Sequence, residues 1–220
     1  MSDGQGLGLR QQICEIGRRL YDRGHICGSE GNISARLGGN FLCTPTGVSK
    51  GFLRPEQVAL IDMGCKLLEG PLAATSESPM HTAIYLVQPA AKAVIHAHPP
   101  YATALGVAGV EVPPEMLNEG RMFLGTVPLL PFEVPGTPAL AGQISKACQS
   151  SQAIMMKNHG ALTWSDSLDD AWMLMEMLEA MAKVTWLAKT LGRIDLIPAE
   201  KCGELRPVRR VRLAGSEETP

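Results

Sequence analysis

Apolar residues recur at helical spacing in five stretches of the chain. In the first stretch, Leu9, Ile13, Ile16 and Leu20 fall on one face and most basic residues fall elsewhere, which predicts a helix over residues 9–23. The last stretch is apolar on more than one side, as expected for a helix that is buried by a core and by a neighbour. The other predicted helices cover residues 76–88, 99–108, 136–148 and 167–191.

Between these helices, short apolar runs bounded by Gly, Pro and Asn predict strands. One run, residues 93–98, ends with His96-Ala-His98, and two further runs flank the turn Asn158-His-Gly160. Residues 110–136 are rich in Pro and Gly and predict a winding segment with a single strand. The remaining predicted strands cover residues 32–36, 40–44, 58–62, 127–132, 153–156 and 161–164.

The length of 220 residues suits a single domain with a full hydrophobic core. Residues 1–8 are polar and Gly-rich, and we predict that they are disordered. The domain is predicted over residues 9–197, without an internal repeat or a linker. Residues 198–220 are predicted to form a flexible basic C-terminal tail, whose run of arginines at 206–212 favours a solvated end or a subunit contact over an anion site.

Composition and charge argue against several classes of function. The net charge of −2 gives no general affinity for nucleic acid or for an anionic membrane. The six cysteines are scattered without a CxxC pair, which is typical of reduced thiols and argues against a cysteine-rich zinc site. The N-terminus carries no apolar signal core, and no uninterrupted apolar run is long enough to span a bilayer. We therefore expect a cytoplasmic protein.

Two histidines stand two positions apart at the end of a predicted strand. Side chains alternate across a strand, so His96 and His98 point to the same face. His159 follows another predicted strand, and neutral imidazoles gathered on one side are a suitable clamp for a divalent metal. The pair alone is also compatible with ordinary core or surface histidines. We interpret His96, His98 and His159 as a three-histidine metal site with one position open for a substrate.

Two segments rich in glycine and hydroxyl groups precede the histidines, at residues 28–36 and 44–50. Each exposes backbone N–H groups that can cradle a phosphate, although each is also compatible with an ordinary turn. Further along, Ser76 is a predicted N-cap and Glu77 lies in the first turn of the next helix. His81 shares a face with Glu77, where it can hydrogen-bond within the helix or hold Glu77; we favour a structural role.

Taken in order, these motifs resemble those of the class II aldolase/adducin family, in particular its L-fuculose-1-phosphate aldolase-like members. The resemblance extends over residues 10–192. The family implies an α/β fold with three layers, α/β/α, around a central, largely antiparallel sheet. The motifs that carry the resemblance are Gly31-Asn32, Thr44-Pro-Thr-Gly47, Ser76-Glu77 with His81, His96-Ala-His98 and His159-Gly160.

The resemblance also implies a role for each matching residue. It makes His96, His98 and His159 the ligands of a zinc ion, although Mn²⁺, Fe²⁺ or Co²⁺ also suits such ligands. It makes Glu77 the carboxylate that moves a proton and that can also contact the metal. The residues implied to hold the substrate phosphate are Ser29, Gly31, Asn32, Thr46, Gly47, Thr75 and Ser76.

Such a site predicts metal-dependent aldol cleavage of a ketose 1-phosphate to dihydroxyacetone phosphate and an aldehyde. The phosphate is expected to be held by N–H and O–H donors rather than by lysines. The fuculose-phosphate enzymes carry tyrosines in the aldehyde half, whereas Leu117 stands at the first of those positions here and the tail has no tyrosine. A more apolar aldehyde pocket follows, which favours a 5-deoxy- or 5-alkylthio-pentulose 1-phosphate over a fuculose 1-phosphate.

Other reactions use the same kind of site within this family. A decarboxylase, dehydratase or epimerase of a sugar phosphate or sugar-acid phosphate is the alternative. For decarboxylation, Arg121 or Lys157 is the candidate partner of the substrate carboxylate. Adducin-like proteins without catalysis lack the metal histidines, which this chain keeps. The family further implies a homotetramer with active sites at subunit interfaces. Our candidates for that interface are residues 110–132 and the long C-terminal helix.

Overall fold

A computed structural model describes residues 3–208 and Leu213. Its helices are α1 (Asp3–Asp22), α2 (Ser78–Val87), α3 (Pro100–Ala108), α4 (Pro138–Ala147), α5 (Leu168–Thr190) and α6 (Ala199–Cys202). Its strands are β1 (Asn32–Leu37), β2 (Asn40–Cys43), β3 (Ala59–Ile61), β4 (Leu67–Glu69), β5 (Ala93–Ala97), β6 (Leu129–Leu130), β7 (Ala153–Met156) and β8 (Gly160–Ser165). Short helical turns at Lys50–Phe52, Pro55–Gln57, Pro114–Met116 and Gly120–Leu124 lie between them.

The strands of this described part form one eight-stranded sheet in the order β4-β3-β2-β1-β5-β8-β7-β6. Neighbouring strands are antiparallel except β6 and β7, which run parallel. β5 lies near the centre of the sheet, between β1 and β8. The predicted α/β fold with a largely antiparallel central sheet is therefore confirmed.

Helices cover both faces of the sheet and complete the three predicted layers. On β5, Ala93, Ile95 and Ala97 contribute to a core shared with α1, α3 and α5, whereas Val94 contributes to a second core shared with α2 and α4. The division follows from the alternation of side chains along a strand. None of the helices within residues 3–208 combines the length and the apolarity needed to cross a bilayer.

The face of the sheet beneath α2 becomes polar toward one end. Asn32 of β1 is paired opposite His96 of β5, and Ser34 of β1 is paired opposite Val94, so all four side chains point to that face. Asn32, Ser34 and His96 are nearly or completely buried. Buried polar groups need partners, so this strip of the sheet requires complementary polar side chains from α2.

Side-chain caps begin α4 and α5 but not α2. Thr137 caps α4 by accepting a hydrogen bond from the Leu140 N–H, and Ser167 caps α5 through the Asp170 N–H. The prediction that Ser76 caps α2 is wrong, because Glu77 occupies the N-cap position and its side chain makes no capping hydrogen bond. The Glu77 carboxylate is instead directed toward Asn32 and His159.

Three further features differ from the sequence-based expectations. Residues 1–8 were predicted to be disordered; residues 1–2 lie outside the described part of the chain, and residues 3–8 are the first turns of α1. Extending a helix costs little once its apolar face is anchored in a core. The predicted flexible tail is partly ordered, since α6 forms and the Val208 N–H donates to the Met122 carbonyl. Most of the basic run at 206–212 lies outside the described residues. β4 was not predicted because its side chains are exposed at the sheet edge.

Candidate metal centre

The histidines of the two separate motifs meet at the ends of β5 and β8. Their ligand nitrogens all lie within 4.8 Å of one another. The Nε2 atoms of His96 and His98 are 3.1 Å apart. A tetrahedral zinc site with bonds of about 2.0–2.1 Å places its ligand nitrogens roughly 3.3 Å apart, so the spacing fits one shared divalent ion. We call His96, His98 and His159 the histidine wall.

Strand pairing and a tight turn position the histidine wall. His96 lies within β5, opposite Leu162 of β8, and its Nδ1–H donates to the Ala161 carbonyl at 2.9 Å. That hydrogen bond leaves the Nε2 lone pair directed at the cluster, as in many metal sites. His159 lies in the turn between β7 and β8, where Asn158 adopts a left-handed conformation with φ of 54°.

Gly160 allows the rings to approach one another. A Cβ atom at this position would lie 2.5 Å from the Ala97 carbonyl oxygen and 2.6 Å from Cδ2 of His98. Contacts that short are not tolerated, so any larger residue would displace the backbone or the ring. The glycine that follows His159 is therefore needed for the shape of the histidine wall.

Glu77 lies beside the histidine wall at the N-terminus of α2. Its Oε1 is 2.9 Å from His159 Nε2, and its Oε2 is 3.6 Å from His96 Nε2. Oε2 also accepts a hydrogen bond from the Asn32 side-chain amide at 2.7 Å. The carboxylate can thus contact a metal held by the histidines or a substrate atom next to that metal.

A buried chain of hydrogen bonds holds the carbonyl end of the Asn32 side chain, opposite the amide nitrogen that faces Glu77. His81 Nε2 is 2.5 Å from Asn32 Oδ1, and His81 Nδ1 is 2.7 Å from Ser34 Oγ. Ser34 Oγ is in turn 2.7 Å from the Tyr85 hydroxyl. Because the Glu77 carboxylate can only accept, every donor finds an acceptor if Tyr85 donates to Ser34, Ser34 to His81, His81 to Asn32 and Asn32 to Glu77.

The electrostatics favour neutral imidazoles and an ionised carboxylate. Burial lowers the pKa of His96 to about 3 and that of His81 to about 4, and it also lowers the pKa of His98. Burial by itself raises the pKa of Glu77, but the neighbouring His159, His96 and Asn32 outweigh it and lower the pKa to about 2. Neutral imidazole and carboxylate are the forms that bind a divalent cation, so these residues fit a metal.

The segments with phosphate-binding composition come together on the other side of Glu77. The Thr75 N–H donates to the Thr44 carbonyl and the Thr46 N–H to the Ala73 carbonyl, both at 3.1 Å. Thr75 Oγ1 accepts a hydrogen bond from the Glu77 N–H at 3.2 Å. We call residues 28–31, 44–47 and 75–76 the loop wall. Among the residues matched to the phosphate site, Ser29, Thr46, Gly47 and Ser76 are exposed, whereas Gly31 and Thr75 are buried.

Comparisons with known proteins agree with this geometry. The model of the class II aldolase and adducin N-terminal domain matches residues 11–186. The chain belongs to the class II aldolase and adducin family. Class II aldolases are metal-dependent, and the histidine wall supplies a suitable ligand set in this member.

Similar relatives of this family member are lyases of two kinds. A 3-oxo-tetronate 4-phosphate decarboxylase of Cupriavidus necator is 35% identical over 81% of this chain and 83% of its own. An L-fuculose phosphate aldolase of Methanocaldococcus jannaschii is 34% identical over 81% of this chain and 96% of its own. The structure of YgbL from Escherichia coli, an aldolase, epimerase or decarboxylase by its description, superposes with a TM-score of 0.85 at 31% identity, covering 91% of this chain and 99% of YgbL. The protein is thus an enzyme of the lyase type.

The residues of both walls were singled out in the sequence, but the side chains that hold them in place were not. Asn32, matched to the phosphate site, has its amide group between Glu77 and His81. Ser34 and Tyr85 were not singled out, although their spacing places them on the buried face with Asn32 and His81. Phe123 and Met173 of α5 line an apolar cleft.

Proposed function

We propose that the protein is a zinc-dependent aldolase that cleaves a ketose 1-phosphate to dihydroxyacetone phosphate and an aldehyde. The observation that carries the proposal is the convergence of His96, His98 and His159 with the Glu77 carboxylate. Zinc is the proposed metal because three imidazoles and an open position are its usual catalytic ligand set, although Mn²⁺, Fe²⁺ or Co²⁺ also suits nitrogen ligands.

Each group of residues has a distinct task in this reaction. His96, His98 and His159 would hold the metal as uncharged ligands, and the metal would supply Lewis-acid polarisation of the ketone carbonyl. Glu77 removes a proton from the nucleophilic carbon in the condensation direction and returns it in the cleavage direction. Asn32 holds the Glu77 carboxylate in place. The loop wall binds the phosphate and so fixes the reacting carbon beside Glu77.

The proposed substrate is a 5-deoxy- or 5-alkylthio-pentulose 1-phosphate. The aldehyde half of such a substrate is apolar, which suits Leu117 at a position where related enzymes carry a tyrosine. We further propose a homotetramer with active sites at its subunit interfaces. The protein is proposed to act in the cytoplasm, since its six cysteines are free thiols.

A panel of ketulose 1-phosphates tests the proposal. The zinc-loaded enzyme is expected to release triose phosphate from at least one member, and the release is expected to stop after chelation and to resume after metal is restored. Failure of every substrate to yield triose phosphate, with one equivalent of metal bound, would contradict the aldolase proposal.

A decarboxylase of a 3-oxo sugar-acid phosphate is the second candidate. It is favoured by the 35% identity to a 3-oxo-tetronate 4-phosphate decarboxylase and by Arg121, whose buried Nε has no hydrogen-bond partner within residues 3–208. A guanidinium in that state can receive a carboxylate. Carbon dioxide release from a 3-oxo-tetronate 4-phosphate, without triose phosphate from any ketulose 1-phosphate, would favour this candidate over the aldolase.

A further inference from the structure

Lys50 is a buried lysine beneath the loop wall. Its side chain is among the largest that are completely buried, and the residue is 2% exposed. Its ammonium donates to the Ser29 carbonyl at 2.5 Å, and no ion pair joins it to a carboxylate in the described part of the chain. An ammonium carries three N–H donors, so a single neutral acceptor satisfies it poorly.

The charge of Lys50 is not compensated by its neighbours. Burial lowers its pKa, and attraction to Cys43 and Glu77 opposes that effect. Burial raises the pKa of Cys43 itself to about 12, so this thiol is neutral at ordinary pH and offers no negative charge. Glu77 is already engaged by Asn32 and His159. A buried cation without a counterion is costly, and a bound anion would remove that cost.

The position of Lys50 links the segments of the loop wall. It follows Thr46 and Gly47 in the chain, and its ammonium reaches Ser29 in the first segment. The second segment is in turn hydrogen-bonded to the third through Thr75 and Thr44. The ammonium is therefore hydrogen-bonded to the first segment, and it is close enough to Cys43 and Glu77, which flank the second and third segments, to be attracted by their charged forms.

The backbone of Lys50 is held firmly against α1. A Cβ atom on Gly17 would lie 2.5 Å from the Lys50 carbonyl oxygen, and one on Gly51 would lie 2.5 Å from the Tyr21 ring. Glycines at both positions let this turn press closely on the helix. The direction of the Lys50 side chain is thus fixed by packing, as a binding site requires.

We infer that Lys50 supplies the positive charge with which the loop wall selects a substrate that carries a phosphate group. The inference rests on the proposed function. It replaces the expectation from the sequence that only N–H and O–H donors, and no lysine, hold the phosphate. A purely structural role, in which Lys50 only fixes the Ser29 carbonyl, makes a different prediction. It would affect phosphorylated and unphosphorylated substrates equally.

Substitution of Lys50 by Met separates these roles, because Met keeps the length and removes the charge. For the phosphorylated substrate, kcat/KM is expected to fall by about tenfold to a hundredfold, mostly through KM, as for loss of a charge-assisted hydrogen bond. For the same ketose without its phosphate, kcat/KM is expected to stay unchanged, and Lys50→Arg should recover part of the selectivity. Lys66→Met, at an exposed turn, is the matched control.

Inorganic phosphate gives a readout that needs no turnover. Phosphate is expected to raise the unfolding temperature of the holoenzyme and of Lys66→Met more than chloride does, and to lose most of this effect in Lys50→Met. If Lys50→Met does not fold, the comparison is made with Lys50→Gln, and the ¹⁵N signal of the Lys50 ammonium in the wild type is expected to shift on addition of phosphate.

Equal losses for both substrates, or phosphate stabilisation that survives without the Lys50 charge, would overturn the inference. Phosphate binding that depends on Lys50 in an enzyme that releases no triose phosphate would support the anion site while contradicting the proposed reaction. The two proposals therefore fail in distinguishable ways.

Discussion

The histidine wall and the loop wall meet at Glu77, but they are fixed by different means. Backbone pairing of β5 with β8, and the short turn that carries His159, set the positions of the histidines. The loop wall has no such ladder. Its segments are held by individual hydrogen bonds between residues that are distant in sequence, such as Lys50 to Ser29 and Thr75 to Thr44.

The contrast suggests that the two walls respond differently to substitution. Many backbone hydrogen bonds between paired strands hold the side chains of the histidine wall in place. A substitution is therefore expected to displace the histidines mainly when it creates a steric clash. The loop wall is joined by one isolated backbone bridge, Pro45 with Ala74, and by the Lys50 side chain. Substitution of Lys50 is therefore expected to change the affinity for an anion without disturbing the metal site. Glu77 and Asn32 join the two walls, and the largest effects on catalysis are expected there.

Removing the charge of Glu77, where the two walls meet, should have the largest effect on catalysis. Glu77→Gln keeps the size of the side chain but cannot act as a base, so kcat is expected to fall by about 10²- to 10⁴-fold. Metal content, measured by elemental analysis, should remain near one equivalent, because the histidine wall is unchanged. Glu30→Gln, whose carboxylate lies 3.6 Å from His98 Nδ1, is the control and should lose far less activity. Full activity in Glu77→Gln would exclude Glu77 as the base.

Disturbing the packing of the histidine wall, with Glu77 unchanged, should have the next largest effect on catalysis. Gly160→Ala places a methyl group 2.5 Å from the Ala97 carbonyl and 2.6 Å from the His98 ring, which must then move. A shift of about 1 Å typically costs on the order of 100-fold in rate, and metal affinity should fall as well. Gly142→Ala on α4, where a Cβ atom meets nothing within 4 Å, is the matched control and should behave as wild type. Unchanged metal binding in Gly160→Ala would contradict the geometry of the histidine wall.

Removing the hydrogen bond between His81 and Asn32 should have a smaller effect on catalysis. His81→Leu leaves the Asn32 carbonyl oxygen without its donor, so Asn32 no longer holds Glu77 in one orientation. Loss of such a supporting hydrogen bond typically costs about 10- to 100-fold, here expected in kcat with KM little changed. His81→Gln, which can still donate to Asn32, should recover part of the rate. Tyr85→Phe, at the far end of the chain of hydrogen bonds, should retain nearly all of it. Equal losses in Leu and Gln variants would contradict an orienting role.

The same buried histidine should make stability depend on pH. The pKa of His81 is lowered to about 4 in the folded protein, so between pH 6.5 and pH 4 the unfolded chain binds a proton that the folded chain does not. Stability therefore falls as the pH is lowered through this window, by about 2 kcal/mol between pH 7 and pH 5 from His81 alone. Urea unfolding at the two pH values should show a smaller difference in His81→Gln than in the wild type. An identical difference in both proteins would show that His81 is not the group responsible.

The histidine wall was the more predictable part of the site. Alternation along a strand placed His96 and His98 on one face, although His98 lies one residue beyond β5. It keeps the strand direction because its N–H donates to the His25 carbonyl at 2.9 Å. The helices that cover the sheet were likewise predictable from the spacing of their apolar residues.

The supports of the loop wall could not be predicted from local patterns. Lys50 and Ser29 are 21 positions apart, and Asn32 and His81 are 49 positions apart, so their contacts exist only in the folded chain. Ser76 has the right chemistry for an N-cap, yet tertiary contacts of the Glu77 side chain set the start of α2 one residue later. In such cases tertiary contacts override the intrinsic preference of a residue for a position in the helix.

X-ray absorption spectroscopy on the enzyme loaded with one equivalent of zinc tests the central claim most directly. The account predicts a single zinc environment with three imidazole nitrogens at about 2.0–2.1 Å, together with oxygen from Glu77 or solvent and no sulfur. Fewer than three imidazoles around the zinc, or sulfur in its coordination shell, would contradict it.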